Sequence, residues 1–453
     1  MTNNGRIKWT GKAPSIMLIS LGCDKNLVDS EQMLSMLDEA GCTFTDEADK
    51  ADVIIINSCC FIGDAKEESI NTIIQAGKLK NEKLKGLIVT GCLAQRYADE
   101  IKKELPEVDA ILGTTCFTDI VESVQQVLCG SFVQRTGDID KYAYAKGHRL
   151  LTGGGYYAYL KIAEGCNKNC SYCVIPKVRG HYRSVPEEDL ISDAKMLASS
   201  GVKELILIAQ ETTVYGTDLY KKKALPGLLR KLCAIDGIEW IRLMYCYPEE
   251  ITDELIDVIA SEEKICHYLD LPIQHINDDI LKAMGRKTDK ASLLDTIGRI
   301  KSRIPDIALR TTLISGFPGE SDIQHEELKA FIKEIRFDRL GCFTYSKEEG
   351  TAAALMKGQN KETVKKKRRG ELMELQQEIA FEKESLMCGR KLKVLIEGKL
   401  PDDDVYVGRT YRDAPDVDGL IFINNAQSEY MSGDFVNVKV TGSHGYDLTG
   451  DVI

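Results

Sequence analysis

The chain has 453 residues, 43% hydrophobic and 28% charged, with a formal net charge of −11 and fifteen cysteines. That length suits two to four domains, and the composition is that of a globular chain. No apolar run approaches the ~18 residues of a membrane span, and Met1–Arg6 lacks the apolar core of a signal peptide. The expectations are a cytoplasmic protein with no membrane partner, and cysteines serving as metal ligands or buried thiols rather than as a disulfide framework. An acidic chain is also expected to have no strong nucleic-acid footprint.

Residues 14–130 predict an open parallel α/β domain. Ser15–Ser20 is an apolar run, Asp29–Ala40 has helical spacing, and Gly41 follows as a C-cap. The β-branched run Ala51–Cys59, a helix from Asp64 to Leu79, the run Gly86–Cys92, a helix from Gln95 to Leu105 and the strand Ala110–Gly113 complete the alternation. Continuous apolar strands alternating with helices suggest a parallel sheet. Cys23, Cys59 and Cys92 each lie just past the carboxyl end of a predicted strand, and such ends share one ligand-binding edge. Three cysteines distant in sequence can therefore meet. Three unrelated buried thiols are the plainer alternative, and spacing alone does not choose between Cys59 and Cys60. Cys42, Cys116, Cys129, Cys233, Cys246, Cys266, Cys342 and Cys388 stand alone and read as ordinary thiols.

Residues 131–155 read as a linker, with mixed charge and the triplet Gly153–Gly155. Residues 156–388 form the second unit. The strand Tyr156–Ile162 leads into Cys166-x3-Cys170-x2-Cys173. Three thiolates so close cannot all pair as disulfides. They can converge on one cubane iron–sulfur cluster, whose fourth iron is then open for chemistry. Five further helix–strand pairs follow, with strands at 204–209, 240–245, 267–271, 308–314 and 339–345. Six strands fall short of the ~250 residues of a full eight-fold barrel. The prediction is a partial six-stranded βα barrel, TIM-like, with its active face at the carboxyl ends. Residues 361–388 predict one charged helix, and its basic run Lys365–Arg369 reads as a solvated face. Residues 389–453 carry short strands between Gly, Asp and Asn turns, which predicts a small β-barrel.

The Cys166-x3-Cys170-x2-Cys173 loop after a strand resembles the radical S-adenosylmethionine superfamily. The three-part layout resembles its methylthiotransferase branch, with a second cluster domain, a radical core and a terminal TRAM barrel. The resemblance covers nearly the whole chain. It is carried by Leu21-Gly22-Cys23-Asp24-Lys25-Asn26-Leu27-Val28-Asp29-Ser30-Glu31, Asn57-Ser58-Cys59, Thr90-Gly91-Cys92 and Gly316-Phe317-Pro318-Gly319-Glu320. The family's Asn-Thr/Ser-Cys pattern favours Cys59 over Cys60. Within the branch the chain is most similar to the RimO type, through the Cys23–Glu31 run, Phe61–Ile70 and Gly408–Gly419. Asp24 and Cys60 depart from the residues common there, a proline and a small residue, without displacing a ligand.

The resemblance implies methylthiolation of the β-carbon of an aspartate in small-subunit ribosomal protein twelve, a basic protein met free or on the ribosome. The implied cofactors are two 4Fe-4S clusters and S-adenosylmethionine, with an external electron donor. Cys166, Cys170 and Cys173 would hold the cluster that cleaves the sulfonium to a 5′-deoxyadenosyl radical. Cys23, Cys59 and Cys92 would hold the cluster that delivers sulfur, and a second S-adenosylmethionine would supply the methyl group. Tyr172 is implied at the cofactor's adenosine, Gln210 and Glu211 at its methionyl end, and Gly316 and Pro318 in the shape of its pocket. His275 is left out as an ordinary structural histidine. The rival readings are a transfer-RNA adenosine methylthiotransferase and a non-enzymatic iron–sulfur redox sensor. From Lys391 onward six Lys/Arg face eleven Asp/Glu, a net charge of −5, with Asp402-Asp403-Asp404 in a row. Such a barrel suits a basic protein better than phosphates.

Overall fold

The computed structural model describes residue 9 and residues 12–81, 83–141, 143–144, 147, 149–401, 404–424 and 428–453. The Met1–Arg6 start, and Asp402 and Asp403 of the acidic run, lie outside them. The first unit is a parallel sheet of β1 Ser15–Ser20, β2 Thr43–Phe44, β3 Val53–Ser58, β4 Gly86–Gly91, β5 Ala110–Leu112 and β6 Val133–Arg135, in the order β2-β1-β3-β4-β5-β6. Every residue of β3 and β4 is buried, as a strand covered on both faces requires. The covering helices are α1 Asp24–Glu39, α2 Gly63–Lys78, α3 Cys92–Arg96, α4 Ala98–Glu104 and α5 Ile120–Leu128.

Three features differ from the sequence reading. Helix α1 begins at Asp24 rather than Asp29, because Asn26, Asp29, Ser30 and Glu31 turn inward to polar partners and hide the amphipathic pattern. The expected helix Gln95–Leu105 is two helices, broken at Tyr97 (φ −129, ψ 35). The expected linker starts later: β6 adds to the edge of β5, where Gly113 N–H donates to Arg135 O at 2.7 Å.

The second unit opens with β7 Tyr157–Lys161. A short antiparallel pair, β8 Ala163–Glu164 and β9 Arg183–Ser184, then clasps the cysteine loop and the short helix α6 Ile175–Val178. β10 Glu204–Ile208, β11 Trp240–Leu243, β12 Ile265–Asp270, β13 Ala308–Ser315 and β14 Arg339–Thr344 follow, each separated from the next by helix. With β7 they form one all-parallel sheet in chain order, the expected partial barrel. Leu205, Leu207, Ile241, Leu243, Leu269 and Leu309 lie between the strands and the helical layer. The helix Glu362–Ser385 spans to the third unit. Its basic run is not wholly solvated: Lys365 and Arg368 are buried, the first donating to Tyr345 O at 2.8 Å and the second to Glu320 Oε1 at 3.0 Å.

The third unit is a closed antiparallel-rich barrel of β15 Lys391–Lys399, β16 Tyr406–Thr410, β17 Ile421–Asn424, β18 Phe435–His444 and β19 Asp447–Val452. It docks on the amino-terminal side of the parallel sheet, where Tyr156, Trp240 and Ala308 pack with Leu395, Ala414 and Phe435. Buried ions cross this seam. Arg242 Nε lies 2.7 Å from Glu204 Oε1, and Arg409 Nη2 lies 2.7 Å from Glu204 Oε2. Arg409 also meets Glu397 at 2.6 Å, so each of these charges is paired.

Candidate functional site

Cys23, Cys59 and Cys92 leave β1, β3 and β4, three neighbours in the first sheet. Cys23 is the N-cap of α1, and Cys92 opens α3. The glycines before them carry left-handed backbone. At Gly22 (φ +90) a Cβ would stand 2.6 Å from Cys59 Cβ and 2.8 Å from its sulfur, and at Gly91 (φ +91) it would strike Asn57. Only glycine lets these strand ends close together. Cys59 is held by Ser69: its N–H donates to Ser69 Oγ at 3.0 Å, and that hydroxyl donates to Cys59 O at 2.9 Å. Burial pushes the Cys59 thiol up to about 12, with Cys92 and Cys23 adding to it and Arg179 opposing. Burial also raises Cys92, opposed by Arg179 and reinforced by Cys23. The Cys59 thiol thus feels both of the other two. Cys60 turns into the apolar core with Ile54, Ile56 and Leu93, near Arg96 and Cys92.

The second trio sits on the loop after β8. Gly165 (φ +79) is required there, since a Cβ would strike the His181 carbonyl. Asn169 adopts left-handed backbone (φ 49), a strained choice of the kind found at ligand sites. Cys166 N–H donates to Gly180 O at 3.1 Å and Ser171 N–H to Met284 O at 2.9 Å, which anchors the loop to its surroundings. Lys168 N–H points at Cys166 Sγ and Ile175 N–H at Cys173 Sγ, each at 3.4 Å. Burial lifts the Cys166 thiol to about 11 and the Cys173 thiol to about 12, with Cys170 adding to both. Such thiols keep their protons until a cation displaces them.

All fifteen cysteines are free of disulfides. Among the described residues, one set of three His, Cys, Asp or Glu side chains has its ligand atoms all within 4.8 Å of one another: His325, Glu326 and Glu371. That set is an ion-pair group of the buried His325, 2.9 Å from Glu371, with Lys329 Nζ 3.4 Å from the same carboxylate. The cysteine trios are wider. Sulfurs around a single tetrahedral zinc would be ~3.8 Å apart. Soft thiolates in threes, spread more widely and receiving N–H groups, fit an iron–sulfur cluster.

One buried guanidinium ties the segment that follows the second trio to the first trio. Arg179, just past α6, donates through Nε to Cys92 Sγ at 3.3 Å. Its Nη1 meets Asp29 at 2.8 Å and Glu164 at 3.1 Å, and its Nη2 donates to Asn26 Oδ1. Lys161 pairs with the same Asp29 and lies 3.0 Å from Glu164. Burial alone would raise the Glu164 carboxyl, but Arg179 and Lys161 hold it below the usual carboxylate range. A second contact links the units where Tyr245 OH, past β11, donates to Asp24 Oδ1 at 2.9 Å and Lys25 Nζ lies 3.0 Å from the centre of the Tyr245 ring. Sequence reasoning missed Asn26, Asp29, Lys161, Glu164 and Arg179. The available signal was polar residues three apart on one face of α1, flanking apolar Val28.

The remaining expected contacts separate. Glu211, 1% exposed, follows β10 and lines a cavity of about 220 Å³ with Cys166, Asn167, Lys168, Tyr182 and Glu250. Its Oε1 accepts from Thr213 N–H at 3.0 Å, while Oε2 has no partner. Burial pushes this carboxyl up to about 7. Gln210 donates to Glu164 at 2.5 Å and leaves its own Oε1 unpartnered. Tyr172 packs with Phe317, Tyr345 and Met284. Gly316 (φ +73) makes room for Lys365, and Glu320 accepts its N–H at 2.7 Å, so this turn, with Pro318, is tied to the spanning helix and lies outside the Glu211 cavity. His275 is buried and accepts from Asn277 N–H at 3.0 Å; burial lowers it to about 3, which keeps it neutral.

Comparison with known proteins matches residues 15–113 to an uncharacterized protein family, UPF0004, residues 160–332 to the radical SAM superfamily and residues 388–453 to the TRAM domain. The chain is 61% identical over 436 residues to the ribosomal protein uS12 methylthiotransferase RimO of Lachnoclostridium phytofermentans, covering 96% of this chain and 99% of that one. It is 49% identical to the protein of that name from a Thermoanaerobacter species, covering 96% and 99%, and 48% identical to that of Clostridioides difficile, covering 97% and 98%. Among solved structures, the radical S-adenosylmethionine methyltransferase TsrM of Kitasatospora setae shares the fold at 11% identity, with a TM-score of 0.52 and 72% of each chain covered.

Proposed function

Because the chain belongs to the RimO family of ribosomal protein uS12 methylthiotransferases, within the radical S-adenosylmethionine superfamily, we infer that it transfers a methylthio group to the β-carbon of an aspartate of uS12. Its cofactors are S-adenosylmethionine and two 4Fe-4S clusters. We assign one cluster to Cys166, Cys170 and Cys173 and the other to Cys23, Cys59 and Cys92. When bound, these groups supply one-electron cleavage of a sulfonium and a sulfur donor, chemistry that an unactivated C–H bond demands and side chains lack. The observation that carries the assignment is Arg179, which leaves the one cysteine loop and ends on a thiol of the other site.

The chain's own residues bind, orient and screen. The unpartnered Glu211 oxygen beside Cys166 suits the ammonium of the cofactor's methionyl end. Burial of Cys59, Cys92, Cys166 and Cys170 limits water at the reacting groups, while Cys23 stays exposed and Cys173 half-buried. The small barrel favours a basic protein over RNA. Two of its three arginines, Arg409 and Arg412, are buried and committed to Glu204, Glu397 and Glu384, which leaves Arg390 as the one exposed arginine there. The reading places the enzyme in the cytoplasm, with an external electron donor, and no helix among the described residues is long and apolar enough to cross a membrane.

Two measurements test it. Replacing Cys166, Cys170 and Cys173 with alanine should leave about half the iron and abolish S-adenosylmethionine cleavage, whereas replacing Cys23, Cys59 and Cys92 should spare cleavage and stop sulfur insertion. Cleavage retained by the first variant refutes the assignment. In a deletion strain, mass spectrometry should find uS12 unmodified and transfer RNA unchanged; loss confined to RNA overturns the substrate.

A further inference from the structure

Arg179 belongs by sequence to the loop of Cys166, Cys170 and Cys173, yet its side chain completes the other cysteine site. The guanidinium is 2% exposed, so each of its N–H groups needs a partner. Nε serves Cys92 Sγ at 3.3 Å, and Nη2 serves Asn26 Oδ1. The Asn26 amide in turn donates to Leu21 O at 2.9 Å and Ser58 O at 3.2 Å, the carbonyls just upstream of Cys23 and Cys59. One side chain therefore touches all three strand ends that carry thiols, once directly and twice through Asn26. Charge points the same way. Arg179 and Lys161 balance Asp29 and Glu164, so an ionised Cys92 is one negative charge beyond a neutral set. Only the planar fork of arginine reaches both carboxylates and the sulfur; a lysine is a single point charge.

We propose that Arg179 is a positioning residue lent by the radical core to the upstream cluster: it fixes the Cys23, Cys59 and Cys92 legs in register, and its N–H on the Cys92 sulfur raises the reduction potential of the cluster there. The inference rests on the assignment of that cluster to those cysteines. An N–H donated to a ligand sulfur, and a nearby cation, stabilise the more negative reduced state, hence the sign. The upstream site is then complete only when the two units are docked.

The test uses the full chain carrying C166A, C170A and C173A, so that one cluster remains, reconstituted without oxygen and titrated against potential by electron paramagnetic resonance. Arg179→Lys keeps the buried charge balance but not the reach to sulfur, and Arg179→Gln removes both. The midpoint should fall in Arg179→Lys and fall further in Arg179→Gln. Unchanged midpoints in variants that hold a cluster overturn the proposal. If one variant loses iron, the other decides. If both lose iron while the Tm of the metal-free chain stays unchanged, the seating role is supported; iron loss with a lowered metal-free Tm overturns it in favour of a merely structural residue. A reference chain that holds no iron refutes the ligand assignment instead.

Discussion

Replacing Gly22 with alanine adds one methyl group at the tightest approach between two cysteine legs. Two costs can be separated. Gly22 (φ +90) and Gly41 (φ +85) share a left-handed backbone, but a Cβ at Gly41 meets nothing within 4 Å, whereas at Gly22 it stands 2.6 Å from Cys59 Cβ. The backbone cost, common to both, is about 1–2 kcal/mol. The steric cost belongs to Gly22 alone. Cys59 Cβ is fixed to its backbone and cannot rotate away, so β1 and β3 must separate at their ends, for a further ~1–3 kcal/mol. Gly22→Ala should therefore destabilise the first unit by about 1–3 kcal/mol more than Gly41→Ala. Trp9 reports on that unit, since its Nε1 donates to Ala40 O at 2.8 Å and its ring packs on the core of Ile16, Met33 and Leu37. Urea unfolding of the metal-free protein, followed by Trp9 fluorescence in a Trp240→Phe background, measures the difference. The same shift should cost Gly22→Ala the upstream iron, about half the total, while Gly41→Ala keeps it. Equal stabilities within ~0.5 kcal/mol, together with full iron in Gly22→Ala, would refute the close-approach argument.

Two other outcomes are expected. Burial holds the Glu211 carboxyl at about 7, above its unfolded value, so its favourable effect is complete below pH 4.5 and is lost as pH rises through about 7. Glu211→Gln should remove that slope, worth at most about 3 kcal/mol between pH 4.5 and 8, and should also remove the tightening of S-adenosylmethionine binding between pH 6 and 8; parallel slopes in both proteins would count against the burial argument. Arg409→Ala leaves the buried Glu204 and the half-buried Glu397 beside one fewer cation. It should cost about 3–5 kcal/mol and free the small barrel for limited proteolysis, and an unchanged cleavage pattern would show that the seam does not depend on the pair.

The parallel strands and their helices were legible because each is a continuous apolar run with ordinary punctuation. All six barrel strands follow from that pattern, and position puts Cys23, Cys92 and the Cys59-Cys60 pair at neighbouring strand ends. Most of the misses share one cause, a buried charge whose partner is distant in sequence. β16 escaped because Tyr406–Thr410 buries Arg409, a residue that belongs inside only once Glu204 is placed beside it. β19 escaped because Gly450 interrupts it, and that glycine exists to let the Val438 side chain through. The start of α1 and the Arg179 network escaped for the same reason as β16. Asp29 meets Lys161 and Arg179 across more than a hundred residues of chain, and a buried charge looks like a surface charge until its partner is known. Cys59 and Cys60 are adjacent and chemically equal, so spacing does not choose between them, and the fold separates the thiol beside Cys23 from the one in the core.

The helix Glu362–Ser385 is pinned at both ends. Lys365 and Arg368 hold its start to Tyr345 O and Glu320, and Glu384 near its end receives Arg339 at 2.6 Å and Arg412 at 2.8 Å. Gln376, donating to Phe337 O at 2.9 Å, fixes the middle. Inserting or deleting one residue between those pins would turn everything beyond it by ~100° and slide it by ~1.5 Å, stranding Glu384 away from both arginines. Two whole turns would restore the angle but move the small barrel by ~10 Å. This rod therefore admits no change of length. Insertions and deletions among descendants of this chain should collect in the turns of the small barrel, and residues 362–385 should drift in sequence while keeping their count.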